Sequence, residues 1–212
     1  VSSSTVTVNE AGGTTGTFTV KLQSEPTSSV TVNLSVNGSD EFTVSPSSLT
    51  FDQTDWNALQ NVTVTGSNDD VADGDQTGTL TVSSSSGDGK YNGLSKDRTV
   101  ITTDDDTVGL QLSKNTASVS ENGTLSDNFS VVLTSEPTAN VTLTVSDNDS
   151  SEVLFSPTSL VFSKDNWSTV QWITLTGKDD NVSDDNQTTT LTLSLSSVDS
   201  KYDNSSLSPK TV

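Results

Sequence analysis

The second half of the sequence repeats the first half at a constant offset, and this repeat restricts the chain to two copies of one fold. The segment Ser24-Glu25-Pro26-Thr27 returns as Ser135-Glu136-Pro137-Thr138, 111 residues later. The same offset relates further pairs of residues: Glu10 and Glu121, Pro46 and Pro157, Phe51 and Phe162, Trp56 and Trp167, Gly66 and Gly177, Tyr91 and Tyr202. A solenoid repeat is much shorter than this, so each copy is expected to have its own core. We therefore predict two domains, at residues 1–106 and 107–212.

Within each copy, apolar residues alternate with polar ones, and this period of two is typical of β-strands that bury one face. The segment Val30-Thr31-Val32-Asn33-Leu34-Ser35-Val36 is an example. Seven such segments occur in the first copy, at residues 5–8, 16–22, 30–36, 49–51, 59–65, 78–82 and 98–103. No window has helical spacing over a useful length. The sequence therefore predicts an all-β fold of two tandem, seven-stranded, antiparallel β-sandwiches of immunoglobulin-like type.

The composition excludes several classes of function. The net charge is −19, which argues against nucleic acid or an anionic membrane surface as a partner. Cysteine, histidine and methionine are all absent, so disulfides, thiol and imidazole chemistry, and the soft ligands of zinc, copper or iron are unavailable. No stretch approaches the ~20 apolar residues of a membrane span. No signal peptide opens the sequence, and we expect it to be part of a longer protein.

The acidic residues of the first copy are predicted to meet at one end of its sandwich. Loops of a seven-stranded sandwich alternate between its two ends, so alternate loops and the end of the last strand share one pole. Glu10, Asp40, the acidic segment 68–76 and the run Asp104-Asp105-Asp106 all fall on this pole. Close carboxylates repel one another by roughly 1–4 kcal/mol per pair, depending on the dielectric. A cation is therefore expected among them.

Calcium suits such a pole better than magnesium. Calcium accepts six to eight oxygen ligands in loose geometry, whereas magnesium keeps several of its waters. The acids are numerous enough for two or more ions. The alternative is that these are solvated loops, because aspartate and asparagine favour turns in any case. An enzyme is not expected, since the acids lie on a convex pole and no activated nucleophile is evident.

These features together resemble the Calx-β domain. The resemblance is carried by a glutamate after the first strand, by Ser39-Asp40-Glu41-Phe42 ahead of Leu49-Thr50-Phe51, by the acidic 68–76 loop and by the triple aspartate. It implies calcium ligands in the first copy at Glu10, Asp40, Asn68, Asp69, Asp73, Gln76, Asp104, Asp105 and Asp106, with Asp70 and Asp75 near enough to join them. Asn68 and Gln76 stand where calcium-sensing members of the family tend to carry acids, so the resemblance implies weaker binding or fewer ions.

The second copy retains only part of this set. The resemblance places ligands there at Glu121, Asp179, Asp180, Asp184 and Gln187, with Asp149 next to Ser151, which stands at the position of Asp40. A second triple aspartate is absent from the sequence, and the end of the last strand is expected to be missing with it. The second copy is therefore predicted to bind calcium more weakly.

The leading hypothesis is a calcium-binding extension module of a large secreted or cell-surface protein such as a bacterial adhesin. Calcium at the junction of the two domains would make the tandem array rigid. The expected partners are calcium ions, neighbouring repeats and a host or surface receptor bound through other domains, with no nucleic acid and no membrane span. The alternatives are a glycan- or protein-binding module that uses the pole bearing Trp56 and Tyr91, a subunit of an extracellular filament that exchanges an edge strand, and a regulatory calcium sensor.

Overall fold

A computed structural model describes residues 5–11, 14–182, 185–203 and 210–211. Its regular secondary structure consists of β-strands. The chain divides into two compact units, the first comprising Val1–Asp69 and Asp73–Asp105 and the second comprising Asp70–Ala72 and Asp106–Val212. In the part of the chain that is described, no helix is long and apolar enough to cross a membrane.

The first unit is a sandwich of two sheets. Its strands are β1 (Thr5–Asn9), β2 (Thr15–Val20), β3 (Val30–Asn37), β4 (Phe42–Ser45), β5 (Ser48–Phe51), β6 (Gln60–Gly66), β7 (Gln76–Ser86) and β8 (Ser95–Thr103). One sheet has the order β1-β8-β7-β3-β5 and the other has the order β2-β6-β4. The all-β sandwich predicted from the alternating pattern is therefore confirmed.

Two details of this sandwich differ from the simple seven-stranded antiparallel pattern. Strand β1 runs parallel to β8, so that Asn9 lies opposite Thr103. The chain also forms the additional strand β4, which pairs with β6 before the chain crosses at Pro46 and pairs with β3 as β5. Proline has no N–H to donate to a ladder, which favours a change of sheet at this position. Strand β4 has only four residues, so its alternation is too short to distinguish it from a loop in the sequence.

The second unit repeats most of these strands. Its strands are β9 (Leu110–Leu112), β10 (Ser126–Leu133), β11 (Val141–Asp147), β12 (Val153–Ser156), β13 (Ser159–Phe162), β14 (Gln171–Gly177), β15 (Leu191–Ser197) and β16 (Lys210–Thr211). Residues 116–120, the counterpart of β1, are not a strand, and β9 has no counterpart among the described residues of the first unit. The sheet orders are β12-β14-β10-β9 and β13-β11-β15-β16. The crossing at Pro157 between β12 and β13 matches the crossing at Pro46 in the first unit.

Each unit has its own hydrophobic core between its sheets. Phe18, Phe51 and Leu80 are fully buried in the first core, and Phe129 and Phe162 in the second. The core residues occupy alternate positions of the strands, as in the burial of β3 at Val30, Val32 and Leu34. Trp56 and Trp167 are half-buried and pack against the two cores at equivalent positions.

A tyrosine ties one loop to the body of each unit. In the second unit the Tyr202 hydroxyl donates to the Ser135 carbonyl oxygen at 2.7 Å and accepts from the Ser135 N–H at 3.1 Å. In the first unit Tyr91 makes the same two bonds to Ser24, at 2.7 and 3.0 Å. Tyr202 is buried, whereas Tyr91 is only half-buried. Both tyrosine hydroxyl groups therefore hydrogen-bond to a loop of their own unit.

The difference in burial predicts unequal effects of removing the two hydroxyl groups. Tyr202→Phe is expected to lower the free energy of unfolding of the second unit by about 1–3 kcal/mol, because it leaves a buried N–H and carbonyl without a partner. Tyr91→Phe is the matched control and should cost less, since water can replace the lost bonds. Urea denaturation of both variants measures the difference. Equal losses would show that burial of the tyrosine does not govern the effect.

Candidate metal site

Four chain segments of the first unit come together at one end of its sandwich. The parallel pairing of β1 and β8 brings Asn9 beside Thr103, so Glu10 and Asp104 leave the sheet side by side. Phe42, at the start of β4, lies opposite Gly66, at the end of β6. The loop before β4 and the loop after β6 are therefore at the same end of the sandwich. Gln76, at the start of β7, pairs with Thr102 and completes the group.

Glu10 is at the centre of this end, and it is only 1 % exposed. Its backbone N–H donates to the Thr103 carbonyl oxygen at 3.0 Å. Its carboxylate Oε1 accepts from the Asp69 N–H at 3.3 Å, and carboxylate oxygens of Glu10 and Asp69 lie within 4.8 Å of each other. A largely buried carboxylate beside a second acid is costly unless a positive charge or several donors compensate for it.

Burial, together with the local negative charges, raises the pKa of two glutamates at this end. Burial raises the pKa of Glu10 to about 7, and the negative charges of Asp69 and Asp104 add to the effect, while the hydrogen bond from the Asp69 N–H opposes it. The pKa of Glu41 is also raised, chiefly by burial and then by the charges of Asp73, Asp69 and Asp40. The ionised acids therefore destabilise one another, and a divalent cation would remove this repulsion.

Backbone groups hold the segment between β6 and β7 against the end of β8. The Gly74 N–H donates to Asp104 Oδ2 at 2.5 Å, and the Asp104 N–H donates to Asp75 Oδ1 at 3.1 Å. Gly74 has a φ of 87°, a conformation that residues with a side chain rarely adopt. These bonds fix the direction in which the Asp104 carboxylate leaves its strand.

Two of the predicted ligands, Asn68 and Gln76, have amide side chains. Their nitrogen atoms donate to backbone carbonyl oxygens of the segment between β6 and β7. Asn68 Nδ2 donates to the Asp69 carbonyl oxygen at 2.7 Å, and Gln76 Nε2 donates to the Gly74 carbonyl oxygen at 3.0 Å. These bonds leave both amide oxygens as possible acceptors. Carboxylate and amide oxygens are the donors that calcium prefers, so the residues at this end fit a calcium ion.

The remaining predicted ligands of the first copy have different positions. Asp40 is exposed, and its charge is one of those that raise the pKa of Glu41. Asp70 belongs to the short segment that groups with the second unit, Asp105 ends the first unit, and Asp106 begins the second. Glu41 was missed by the sequence analysis as a site residue. Its position just before the apolar Phe42 was a signal that could have identified it, because a residue next to a buried strand start lies at the edge of the core.

The second unit has the same glutamate–aspartate contact as the first, but its glutamate is more exposed to solvent. Glu121 Oε1 accepts from the Asp180 N–H at 3.2 Å, as Glu10 does from Asp69, but Glu121 is exposed. Gln187 Nε2 donates to the Asp185 carbonyl oxygen at 3.0 Å, as Gln76 does to Gly74. Asp179 is exposed, and Asp184 lies outside the described residues.

Asp149 of the second unit is held by a serine and lies near a lysine. Its Oδ1 accepts from the Ser151 hydroxyl at 2.6 Å and from the Ser151 N–H at 3.0 Å. These bonds, together with the charge of Lys178, lower the pKa of Asp149. Lys178 stands at the position that Ser67 has in the first unit. Glu121 is therefore less buried than Glu10, and Asp149 already has a lysine near it.

The raised pKa of Glu10 predicts how the stability of the metal-free first unit depends on pH. The pKa of Glu10 in the folded chain, about 7, is above its ordinary value of 4.5. Between these two values the folded state binds more protons than the unfolded state, so the free energy of unfolding should fall by about 3 kcal/mol as the pH rises from 4.5 to 7. Urea denaturation in chelator at several pH values measures this fall. Glu10→Gln should be less sensitive to pH by that amount, and an unchanged pH profile would contradict the assignment.

Comparisons with known proteins identify a family model that matches the chain. The family model described as the Calx-beta domain matches residues 1–106 and again residues 103–211. Among solved structures, CBD12 from CALX1.2 is similar with a TM-score of 0.39 and 13% identity over 95% of this chain and 82% of that chain. The calcium binding domain CBD12 of CALX1.1 has a TM-score of 0.39 and 17% identity over 91% and 77%. The E. coli chaperone DraB has a TM-score of 0.36 and 10% identity over 92% and 90%.

A search of curated proteins finds no match to the chain. These solved structures are too distant to assign a function. The family of the chain is assigned from the family model. Its two matches follow each other along the chain and together cover residues 1–211. The chain therefore belongs to the Calx-beta family, as two Calx-beta domains in tandem.

Proposed function

We propose that the chain is a calcium-binding structural module, and that the first unit binds the ion more tightly than the second. The observation that supports this most directly is the buried Glu10, which lies beside Asp69 and is destabilised by the charges of Asp69 and Asp104. Calcium would take its ligands from these carboxylates and from neighbouring oxygen atoms. An unfolded chain has no assembled site, so the ion would stabilise the folded state by mass action.

A calorimetric titration of the chelator-treated chain tests this proposal. Calcium should bind with at least one high-affinity event per chain, and magnesium should bind more weakly because it requires a tighter, partly hydrated octahedron. Asp104→Asn should remove the high-affinity event, whereas Asp97→Asn, an exposed acid on the same strand outside the site, should retain it. Titration curves that are flat for both cations would refute calcium binding.

The second unit is proposed to be the weaker site. Glu121 is exposed, serine stands at the position of Asp40, and Lys178 contributes a positive charge near Asp149. Each of these differences reduces the electrostatic gain from binding a cation. A variant with Asp104→Asn should therefore retain only weak binding, and this residual binding should be lost on adding Glu121→Gln.

The structural role that we propose is extension of a larger secreted or cell-surface protein, such as a bacterial adhesin, in which calcium stiffens the tandem array. Tandem domains, a charge of −19 and the absence of cysteine support this assignment. Asp104 is followed within two residues by the start of the second unit, so an ion that orders the end of β8 would also order the link. Small-angle scattering with calcium and with chelator tests the stiffening. An unchanged maximum dimension and flexibility would rule it out while leaving calcium binding intact.

A further inference from the structure

The three tryptophans of the chain have different surroundings. Trp56 and Trp167 stand at equivalent positions of the repeat, and each packs against the core of its own unit. Trp172 belongs to β14 and is 55% exposed. Its counterpart in the first unit is Asn61. Trp172 is therefore required neither by the repeat nor by the packing of the core.

Trp172 projects from the outer face of the sheet β12-β14-β10-β9. Its neighbour Ile173 is fully buried in the core, and Leu175 is buried as well. Because successive side chains of a strand point to opposite faces, Trp172 and Thr174 point away from the core. A single exposed apolar residue is ordinary on a protein surface, so the residues around Trp172 decide what this position can bind.

Polar side chains without charge lie beside Trp172 on two strands. Ser130 of β10 is directly opposite it, and Asn128 is opposite Thr174. Asn128 and Val132, two residues to either side of Ser130, therefore take the diagonal positions. Side chains directly opposite each other have Cβ atoms about 4.5–5.5 Å apart, and diagonal neighbours are about 7–8 Å apart. These spacings let a ligand the size of one sugar ring touch the indole and its neighbours at the same time.

No outward position of this sheet carries a charge. The outward residues of its four strands are Gln111, Ser126, Asn128, Ser130, Val132, Leu154, Ser156, Trp172, Thr174 and Thr176. Asp127 of β10 is on the opposite face, where it pairs with Lys114. The chain has a net charge of −19, yet none of this charge lies on the outer face. Such a face is complementary to an uncharged ligand, because it offers a charged one no opposite charge.

We propose that the outer face around Trp172 binds an uncharged sugar residue of a glycan. The indole offers a flat apolar surface with a negative π face, on which the C–H groups of a pyranose ring can stack. The amide of Asn128 and the hydroxyl groups of Ser130 and Thr174 can donate hydrogen bonds to the sugar hydroxyls and accept bonds from them. Val132 continues the apolar surface along β10.

The small apolar area favours a sugar over a protein partner. Beside the indole it comprises Val132, which is partly buried, and Val170, which precedes β14 and is 48% exposed. A tryptophan buries about 150–250 Å², whereas a stable protein interface buries about 800 Å² on each partner. A second copy of the chain would need further apolar surface, which the neighbouring serine and threonine positions do not supply. One sugar ring needs only the indole and the polar groups next to it.

The proposed sugar site is separate from the acids of the second unit. Gly177, at the other end of β14, lies against Glu121, because a Cβ added to Gly177 would be 2.8 Å from the Glu121 nitrogen. Trp172 is five residues before Gly177, which is about 17 Å along a strand. Sugar binding should therefore not require calcium. It goes beyond the calcium-binding function proposed above, and the two proposals can fail independently of each other.

An array of neutral, sialylated and sulfated oligosaccharides, probed with the full chain in chelator, tests this proposal. The chain should bind neutral oligosaccharides in preference to charged ones. Trp172→Ala should reduce this binding at least tenfold, because the stacking surface is lost, whereas Trp172→Phe should retain part of it. Val161→Ala is the matched control, since Val161 is 48% exposed but lies on the other sheet of the same unit. It should leave binding unchanged.

Nuclear magnetic resonance shows which tryptophan meets the sugar. The chain gives three indole N–H signals, and the signal of Trp172 is identified by its absence in Trp172→Phe. Titration with the neutral oligosaccharide that binds best on the array should shift this signal and leave those of Trp56 and Trp167 in place. The unfolding midpoint of Trp172→Ala should equal that of the unchanged chain, which shows that a loss of binding is not a loss of fold.

Three results would overturn the proposal: no neutral oligosaccharide binds, only charged ones bind, or Trp172→Ala binds as well as the unchanged chain. Analytical ultracentrifugation provides a fourth. A dimer that dissociates in Trp172→Ala would mean that the outer face is an interface between two copies of the chain and not a sugar site.

Discussion

Glu10→Gln is expected to have opposite effects on stability with and without calcium. In chelator at pH 8 the variant should be more stable than the unchanged chain, because it removes a buried carboxylate that Asp69 and Asp104 destabilise. Glutamine has nearly the same shape and retains an oxygen that can accept the hydrogen bond from the Asp69 N–H. The core beneath it should therefore stay intact.

In saturating calcium the order should reverse. A ligand at 100 times its dissociation constant stabilises the folded state by about 2.7 kcal/mol, and each kcal/mol raises the unfolding midpoint of a domain of this size by about 4–8 °C. Calcium should therefore raise the midpoint of the first unit by about 10–20 °C in the unchanged chain. In Glu10→Gln most of this increase should be lost, because the central charged ligand is gone.

Differential scanning calorimetry of both chains in both conditions measures the reversal. Glu121→Gln is the matched control, since Glu121 has the same position in the repeat but is exposed. It should change the midpoint little in chelator. If Glu10→Gln lowers the midpoint by the same amount with and without calcium, Glu10 has a structural role only and is not a ligand.

Gly66→Ala is expected to destabilise the first unit by about 3 kcal/mol and to weaken calcium binding at least tenfold. A Cβ at Gly66 would lie 2.2 Å from the Asn9 carbonyl oxygen and 2.8 Å from its carbon. The obstructing atoms belong to the backbone and cannot rotate away, so β1 would have to move. Overpacking of this kind costs about 1–3 kcal/mol and sometimes more.

The loss of calcium affinity follows from the same displacement. Asn9 directly precedes Glu10, whose N–H is bonded to the Thr103 carbonyl oxygen. Moving Asn9 would pull the Glu10 carboxylate away from Asp69. Gly177→Ala should destabilise the second unit in the same way, because its Cβ would lie 2.1 Å from the Ser120 carbonyl oxygen.

Urea denaturation and calcium titration measure the two effects of Gly66→Ala. The control is Gly89→Ala, because an added Cβ at Gly89 meets no atom within 4 Å and its φ is not positive. It should change the free energy of unfolding by no more than about 0.5 kcal/mol. If Gly66→Ala behaved like Gly89→Ala, the close approach of β6 to the end of β1 would not be a constraint on the fold.

The pairing of Glu10 with Asp69 illustrates what the sequence could predict about the site. The two residues are 59 positions apart, and only the alternation of strand directions places them at one end. The sequence pattern could therefore predict which end of the sandwich carries the acids. It could not predict which of these acids is buried. It included the exposed Asp40 and omitted Glu41, because burial depends on how Phe42 packs against the opposite sheet.

The repeat and the alternation of apolar residues determined by themselves that the chain is all-β and built as two similar sandwiches, since a strand that buries one face must show a period of two. The three-dimensional structure decided which acid is buried and where the chain changes sheet between β4 and β5. These properties depend on contacts between segments that are distant along the chain. A local sequence pattern does not contain them, because burial and strand pairing are set by the partner segment as much as by the residues themselves.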